Sequence, residues 1–332
     1  MNIVNDLKKI KEKILSSQNI IISTHTNPDG DAIGSEIALY HLIKQLSRKV
    51  TIINDSKTPD NLSFLDNDGI ILTGDNPTSI NCFYSADLII IVDLNDSKRL
   101  KSVQVPVSKS KAYKICIDHH IDPQDFADMY YVDTESSSTG QLIYDLICEF
   151  NDVKLNSEIS TSLYAAIMTD TGSFRFPRTT PKVHRIIANL IENGANPVTI
   201  YDKIYNSNSM SATKILGEAM SGIKLYLDGI LCLMVVTDDM FRRTGAKNED
   251  IDNFVDKTLA INGVKIGILI SNIPDKNEIR VSIRSKNDYS ARELAVLFGG
   301  GGHFHAAGAR LFDISLDDAK SKIIEIAAKL YL

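Results

Sequence analysis

Apolar positions along the chain follow two alternating patterns. Short continuous runs at Ile20 to Thr24, Val50 to Ile53, Asp87 to Asp93 and Tyr113 to Asp118 have the length and β-branched content of strands buried on both faces. Between them lie longer stretches with apolar residues at helical spacing, among them Asp31 to Leu46 and Ser138 to Phe150. Such alternation implies parallel βαβ units, so this part of the chain is expected to be an α/β domain with a doubly wound parallel sheet. Thr161 to Met168 reads as a helix leading into a Gly-containing loop at Asp170, and Pro181 and Gly194 are placed to open and close a helix over Lys182 to Asn193. In Met1 to Asn19, Leu7, Ile10 and Ile14 define an amphipathic helix without the continuous apolar core of a signal peptide.

After Gly194 the pattern changes. Asn196-Pro197 starts a helical connector and Asn206 to Ser209 marks a turn, which gives a first domain over 1–194, a connector over 195–222 and a second domain over 223–332. Within the second, Lys224 to Leu227, Asp228-Gly229 and Ile230 to Thr237 read as a β-hairpin with a type I′ turn. Strands at Val264 to Ile273 and Glu278 to Ser285 flank Pro274-Asp275-Lys276-Asn277, with helices at Asp250 to Ala260, Ala291 to Phe298 and Ser315 to Tyr331. The expectation is a smaller mixed α+β domain, with no internal repeat.

Composition narrows the function. A chain of 332 residues that is 43% hydrophobic supports two cores. The 36 basic and 42 acidic residues leave a net charge of −6, and no basic stripe of any length is present. That argues against a processive nuclease or a partner of long duplex nucleic acid, without excluding a short anionic substrate. No apolar run approaches the ~18 residues of a membrane span. Cys82, Cys116, Cys148 and Cys232 are scattered with no C-x-x-C pair, and read as small core residues of a reduced, cytoplasmic protein.

The candidate chemistry lies in four His/Asp clusters, each where an apolar segment ends: His25-Thr26-Asn27-Pro28-Asp29-Gly30-Asp31, Ile91-Val92-Asp93, Ile117-Asp118-His119-His120-Ile121 and Met168-Thr169-Asp170-Thr171-Gly172. Imidazole and carboxylate without thiolate suit a borderline-hard divalent ion, Mn²⁺ first, with Mg²⁺, Co²⁺ or Zn²⁺ as alternatives. His25, Asp29, Asp31, Asp93, His119 and Asp170 are about what two ions need if one carboxylate bridges and water fills the open positions. Two ions ~3.5 to 4 Å apart can hold both the attacking and the leaving oxygen of a phosphoryl displacement. Taken singly, each cluster has a bland reading: a solvated Asp-x-Asp turn, a surface His pair, a helix N-cap at Asp93. Their conjunction decides, because the carboxyl ends of strands in an open parallel sheet converge on one crevice.

Gly299 to Gly302 could be a helix C-cap and turn. Four glycines before His303 exceed what a cap needs, and bare backbone N–H groups can form an anion nest. Arg284, on the preceding strand, offers a planar fork for phosphate. Arg99, Arg175 and Arg178 lie near the ends of the clusters and could contact phosphate, while His305 reads as loop packing near substrate. Phe174, Phe176, Tyr289 and Phe304 could stack on a base or fill a core. His41 and His184 read as helix surface or packing.

The four clusters resemble motifs I to IV of the DHH phosphoesterase superfamily, and Gly299 to Gly308 with Val281 to Ser285 resembles the signature of its associated DHHA1 domain. Length and layout are most similar to the nanoRNase and pAp phosphatase branch. The resemblance implies one ion on His25, Asp29 and Asp93 and a second on Asp31, Asp93, His119 and Asp170, with Asp93 as the bridge. It gives His120 a catalytic role facing the substrate phosphate, and makes Asp118 an orienting group. Arg284, Gly301, Gly302 and His303 would grip a terminal phosphate or base, with the active site in the inter-domain cleft. The implied activity is Mn-dependent hydrolysis of very short RNA or DNA oligonucleotides to mononucleotides and of pAp to AMP. A cyclic-di-AMP or pApA phosphodiesterase is the alternative within the superfamily, and a nucleotide-binding regulator with structural metals the alternative outside enzymes. A homodimer stays open. A RecJ-type exonuclease is disfavoured by the lack of an extra nucleic-acid-binding domain, and a family II pyrophosphatase by the second domain.

Overall fold

The buried strands of the first half alternate their side chains between two separate apolar layers. The computed structural model describes residues 6–273 and 277–331, so Met1 to Asn5 of the expected first helix and Pro274 to Lys276 of the expected turn lie outside the described residues. The chain divides into two compact units, Met1–Ser207 and Asn208–Leu332.

The first unit runs α1 (Leu7–Ser16), β1 (Asn19–Ser23), α2 (Gly30–Gln45), β2 (Lys49–Asn54), β3 (Ile71–Thr73), α3 (Pro77–Ser85), β4 (Leu88–Val92), α4 (Gln104–Lys109), β5 (Tyr113–Asp118), β6 (Met129–Val132), α5 (Thr139–Cys148), α6 (Ser157–Asp170), α7 (Pro181–Glu192) and α8 (Pro197–Tyr205). Its six strands are all parallel, in the order β3-β2-β1-β4-β5-β6. Ile20, Ile22, Ile90 and Val92 pack with α1, α2, α5 and α6 on one face, whereas Ile21, Ile89 and Ile91 pack with Phe83 and Val107 on the other. This period-2 division covers the sheet with helices on both sides, which is the doubly wound arrangement. The strand order reverses between β1 and β4, so a crevice opens beyond their carboxyl ends. The edge strands β3 and β6 carry no strong sequence signal, being short and partly exposed.

The second unit runs α9 (Met210–Ser221), β7 (Lys224–Tyr226), β8 (Leu231–Val236), α10 (Asp238–Thr244), α11 (Phe254–Thr258), β9 (Ile266–Asn272), β10 (Glu278–Ser285), α12 (Ala291–Val296), β11 (Gly301–Gly302), β12 (Ala306–Phe312) and α13 (Leu316–Tyr331). Its mixed sheet has the order β11-β12-β10-β9-β8-β7, with β8 and β9 parallel and the other pairs antiparallel.

Three local features differ from the sequence reading. The β7–β8 turn is centred on Leu227 and Asp228, both at φ 53, with the Tyr226 carbonyl accepting from Gly229 N–H; it sits one residue earlier than Asp228-Gly229. The expected helix over Asp250 to Ala260 is a 3₁₀ turn, Asn248–Ile251, followed by α11, because the Asp250 carboxylate turns back onto Lys247 N–H. The expected connector has no core of its own: Ile200 and Ile204 of α8 join the first unit's core, whereas Ile215 and Ala219 of α9 join the second's. Cys116 and Cys232 are buried as expected of core cysteines, but Cys148 is exposed on α5.

Candidate metal centre

Each cluster is delivered by the end of an element in the first unit. β1 ends at Ser23 and places His25 two residues on; β4 ends at Val92, directly before Asp93; β5 ends at Asp118, directly before His119 and His120. Asp29 is the N-cap of α2, its Oδ1 accepting from Asp31 N–H at 3.0 Å and Ala32 N–H at 3.1 Å. Asp170 is the last residue of α6 rather than part of the loop that follows. A carboxylate at a helix C-terminus meets the negative end of the helix dipole and so calls for a cation.

The six residues converge. His25, Asp29 and Asp93 have ligand atoms within 4.8 Å of one another, and so do Asp31, His119 and Asp170. His119 Nε2 lies 3.7 Å from Asp31 Oδ2, 3.6 Å from Asp93 Oδ1 and 3.4 Å from Asp170 Oδ2. Asp93 turns its other oxygen away, with Oδ2 at 3.4 Å from His25 Nε2. One carboxylate therefore faces two imidazole–carboxylate groups, one with each oxygen. Arg284 and the Gly301–His303 turn belong to the second unit, where β10 and β12 pair Arg284 with Ala306 in register.

The donor set fits divalent ions. His25 Nδ1 is 2.9 Å from the Thr26 carbonyl, which fixes the proton there, while Nε2 is buried and makes no hydrogen bond. Its separation from Asp93 Oδ2 is 3.4 Å. It matches the ~3 to 3.5 Å between two donors that share one ion at ~2.1 Å. His25, Asp31, Asp93 and His119 are each no more than 4% exposed, so their charges are desolvated. Asp31 is held well above the usual carboxylate range by burial and then by Asp93, Asp170 and Asp29. Asp170 is pushed up to about 6, mainly by burial. For Asp93, burial works upward, but the imidazoles of His25, His120 and His119 outweigh it and hold the carboxylate well below its usual range. Crowded acids that drive one another's pKa upward are what a divalent ion relieves.

Sequence reasoning missed the anchors of this centre. Thr139 and Gly140, the first residues of α5, donate their N–H groups to Asp31 Oδ2 at 2.6 Å and Oδ1 at 2.8 Å, and the Thr139 hydroxyl reaches Asp93 Oδ1 at 3.1 Å. The available signal was Ser138-Thr139-Gly140 at a helix start, where unsatisfied N–H groups favour an anion. His120 Nδ1 lies 2.6 Å from Asp118 Oδ1, deep in the fold. Burial alone would depress His120, but that hydrogen bond and the charge of Asp93 lift it to about 9. Asp93, His119 and His120 also form a third close group, so the geometry brings His120 to the centre without by itself separating ligand from proton donor.

The remaining candidates each have a local setting of their own. Arg284 Nε donates to Asp256 Oδ1 at 3.1 Å. Gly301 and Gly302 form the edge strand β11, paired with Gly308 and Ala307, and His303 opens the tight turn to β12, its N–H bonded to the Ala306 carbonyl at 2.8 Å. Phe174 packs on Tyr164 and His184, so both Phe174 and His184 are structural, while Phe176 and Phe304 are about half exposed. Tyr289 packs against Tyr331, His41 against Tyr40, and His305 Nδ1 lies 3.2 Å from the Ser285 hydroxyl.

An open parallel sheet with carboxylates and imidazoles gathered beyond the carboxyl ends of its strands, in a chain that continues into a mixed-sheet unit, defines an α/β protein able to hold divalent ions. Residues 19–167 match the model described as DHH family, N-terminal domain, and residues 229–329 match the DHHA1 domain. The chain belongs to the DHH–DHHA1 family of phosphoesterases. It is 32% identical over 306 residues to the bifunctional oligoribonuclease and PAP phosphatase NrnA of Thermus thermophilus, spanning 92% of this chain and 88% of that one. It is 28% identical to the Bacillus subtilis protein of the same name, over 90% of this chain and 91% of that one. The solved structure of an exopolyphosphatase-related protein from Bacteroides fragilis matches with a TM-score of 0.91 at 29% identity, over 98% of this chain and 96% of that one. Cyclic-di-AMP phosphodiesterase PdeA of Listeria monocytogenes is more distant, at 22% identity over 95% of this chain and 48% of that one. RecJ of Thermus thermophilus in complex with Mn²⁺ shares the fold at a TM-score of 0.57 and 10% identity, over 97% of this chain and 54% of that one.

Proposed function

We propose that this protein is a Mn²⁺-dependent hydrolase of very short oligonucleotides, releasing mononucleotides, and of pAp, releasing AMP, acting in the cytoplasm. The observation that carries the reading is Asp93, whose two oxygens face two separate imidazole–carboxylate groups. His25, Asp29 and Asp93 would hold one ion, and Asp31, Asp93, His119 and Asp170 the other. Two such ions supply Lewis acidity and a water acidic enough to attack phosphorus at neutral pH. The α5 N-terminus fixes Asp31, and the Thr139 hydroxyl fixes Asp93, so the ligands are oriented before anything binds. His120, oriented by the contact of its Nδ1 with Asp118 Oδ1, is suited to stabilise negative charge on the reacting phosphate or to give a proton to the departing oxygen. In the second unit, Arg284 and the Gly301-Gly302-His303 turn are proposed to bind a phosphate or base of the substrate, with Asp256 holding the guanidinium in place meanwhile. The similarity to two oligoribonuclease and PAP phosphatase proteins over nine-tenths of the chain supports this choice of substrates.

Product analysis with Mn²⁺ on pAp, linear dinucleotides, cyclic-di-AMP and longer RNA tests the reading. Fast turnover of dinucleotides and pAp is expected. Preference for cyclic-di-AMP would move the assignment to the cyclic-dinucleotide branch, and nucleotide binding without turnover of any substrate would make the protein a regulator.

A further inference from the structure

Arg99 sits on a turn that the first unit pins beside the centre. Its carbonyl accepts from Thr26 N–H, the residue after His25, at 2.8 Å, and its own N–H donates to the Asp96 carbonyl at 3.0 Å. Asp55 ties down both partners, accepting Ser102 N–H on Oδ1 at 2.9 Å and the Thr26 hydroxyl on Oδ2 at 2.7 Å. Leu100 and Val103 are fully buried beneath the turn, and Lys101 at φ 49 bends the chain between them. The backbone of Arg99 is thus fixed at the carboxyl end of β1.

The side chain is half-buried. Yet among the described residues no carboxylate lies within 4.0 Å of its guanidinium, and its side chain makes no hydrogen bond. Thr26, whose N–H the Arg99 carbonyl accepts, directly follows His25, so the turn lies on the His25 side of the centre. Of the two other arginines near a cluster, Arg175 Nε donates to the Gly172 carbonyl at 2.6 Å and Arg178 is exposed, whereas Arg99 is half-buried. A half-buried guanidinium on a turn held next to His25, pairing with no carboxylate among the described residues, keeps its planar fork for an anion brought from outside.

We propose that Arg99 is a catalytic residue that donates hydrogen bonds to the non-bridging oxygens of the phosphoryl group under attack. The proposal rests on the phosphoester-hydrolase reading of the centre. In the step, the water oxygen forms its bond to phosphorus, and the bond to the leaving oxygen breaks with its electron pair staying on that oxygen. The proton lost by water passes to solvent or to the leaving oxygen, and Arg99 keeps all of its protons. Its contribution is to charge that grows on the equatorial oxygens, which a fixed fork meets without reorganisation.

The test compares the Mn²⁺-loaded full chain with Arg99→Ala and Arg99→Lys, on a dinucleotide and on a generic aryl phosphodiester. Inorganic phosphate binding by calorimetry and metal content serve as readouts that need no turnover. Arg99→Ala is expected to lose about a hundredfold in kcat/KM on both substrates and to weaken phosphate binding about tenfold, with metal content and Tm unchanged. Arg99→Lys should fall between the two, a point charge replacing a fork. Activity within about threefold of wild type, unchanged phosphate affinity, or loss of ions together with activity would each overturn the proposal, the last by making Arg99 a prop of the metal centre. A wild type that cleaves the aryl ester but not the dinucleotide would refute the proposed substrates and leave the Arg99 comparison intact.

Discussion

Asp93 is a buried non-glycine residue at φ 57, a conformation that costs on the order of 1 kcal/mol. Its N–H is held by the Ile117 carbonyl at 3.0 Å and its Oδ1 by Thr139, so the surrounding fold imposes the shape that presents both oxygens. Asp93→Ala should therefore abolish turnover and lower occupancy at both metal positions; a variant with two bound ions and a tenth of wild-type turnover would remove Asp93 from the bridging role. His120→Ala should keep its ions and lose mainly kcat, because charge stabilisation acts in the transition state. Loss of both ions in that variant would make His120 a ligand. Glu36 gives a pH prediction. It is fully buried on α2, bonded to Asn54 Nδ2 at 2.8 Å, and burial pushes it from 4.5 up to about 8. Below pH 4.5 both the folded and unfolded chains hold the proton, but between 4.5 and about 8 only the folded chain does, so stability falls as pH rises through that window. Glu36→Gln keeps an acceptor for Asn54 and removes the titration. It should raise stability by roughly 2 kcal/mol or more at pH 8 and by little at pH 4.5, as read by denaturant melts; an equal gain at both would refute the burial argument.

At the scale of elements, the centre depends on how closely α2, α5 and α6 approach. A Cβ at Gly34 would stand 2.3 Å from the Ser162 carbonyl and 2.9 Å from Ala166 Cβ, and one at Gly140 would stand 2.5 Å from the same Ala166 Cβ. Near backbone contact brings the start of α2 with Asp29 and Asp31, the start of α5 that binds Asp31, and the end of α6 with Asp170 to one place. Gly34→Ala should cost about 1 to 3 kcal/mol and lower kcat as well, because Asp31 and Asp170 are pushed apart. Chemical denaturation and steady-state kinetics would check it, and an unchanged midpoint would show that the helices part freely. These elements also mark what the sequence made legible. β1, β2, β4 and β5 were readable because burial in the sheet leaves apolar runs, and the His/Asp clusters because they sit at the ends of apolar strands or helices. β3 and β6 are edge strands of three and four residues, too short for their apolar residues to establish a period. The clamp of α5 on Asp31 joins residues 108 positions apart, and no local pattern encodes such a contact. The division of the expected connector was equally hidden, since Ile200 and Ile215 look alike until each finds its own core.

For the whole molecule, charge sets what kind of substrate it can favour. The chain carries −6, and the arginines of the second unit's sheet are largely spent on neighbours: Arg280 on Asp252, Arg284 on Asp256 and Arg310 on Glu278. Lysines of the first unit are likewise dispersed, Lys182 on Asp145 and Lys11 on the Glu149 carbonyl. A long single strand gains affinity with length only where successive phosphates meet successive cations, and each such contact steepens the salt dependence by ~0.7 in log–log slope. A sequence without a basic stripe is expected to offer only a few such contacts. For oligonucleotides from two to about twenty nucleotides, kcat/KM should therefore be highest for the shortest and should not climb with length. The slope of log kcat/KM against log salt should stay near about −0.7 to −1.4 at every length. Efficiency that rises with length, together with a slope that steepens with each added nucleotide, would reveal a cationic track and return the protein to the processive nucleases. Flat or falling efficiency at constant slope is the outcome that a metal centre serving a few phosphates requires.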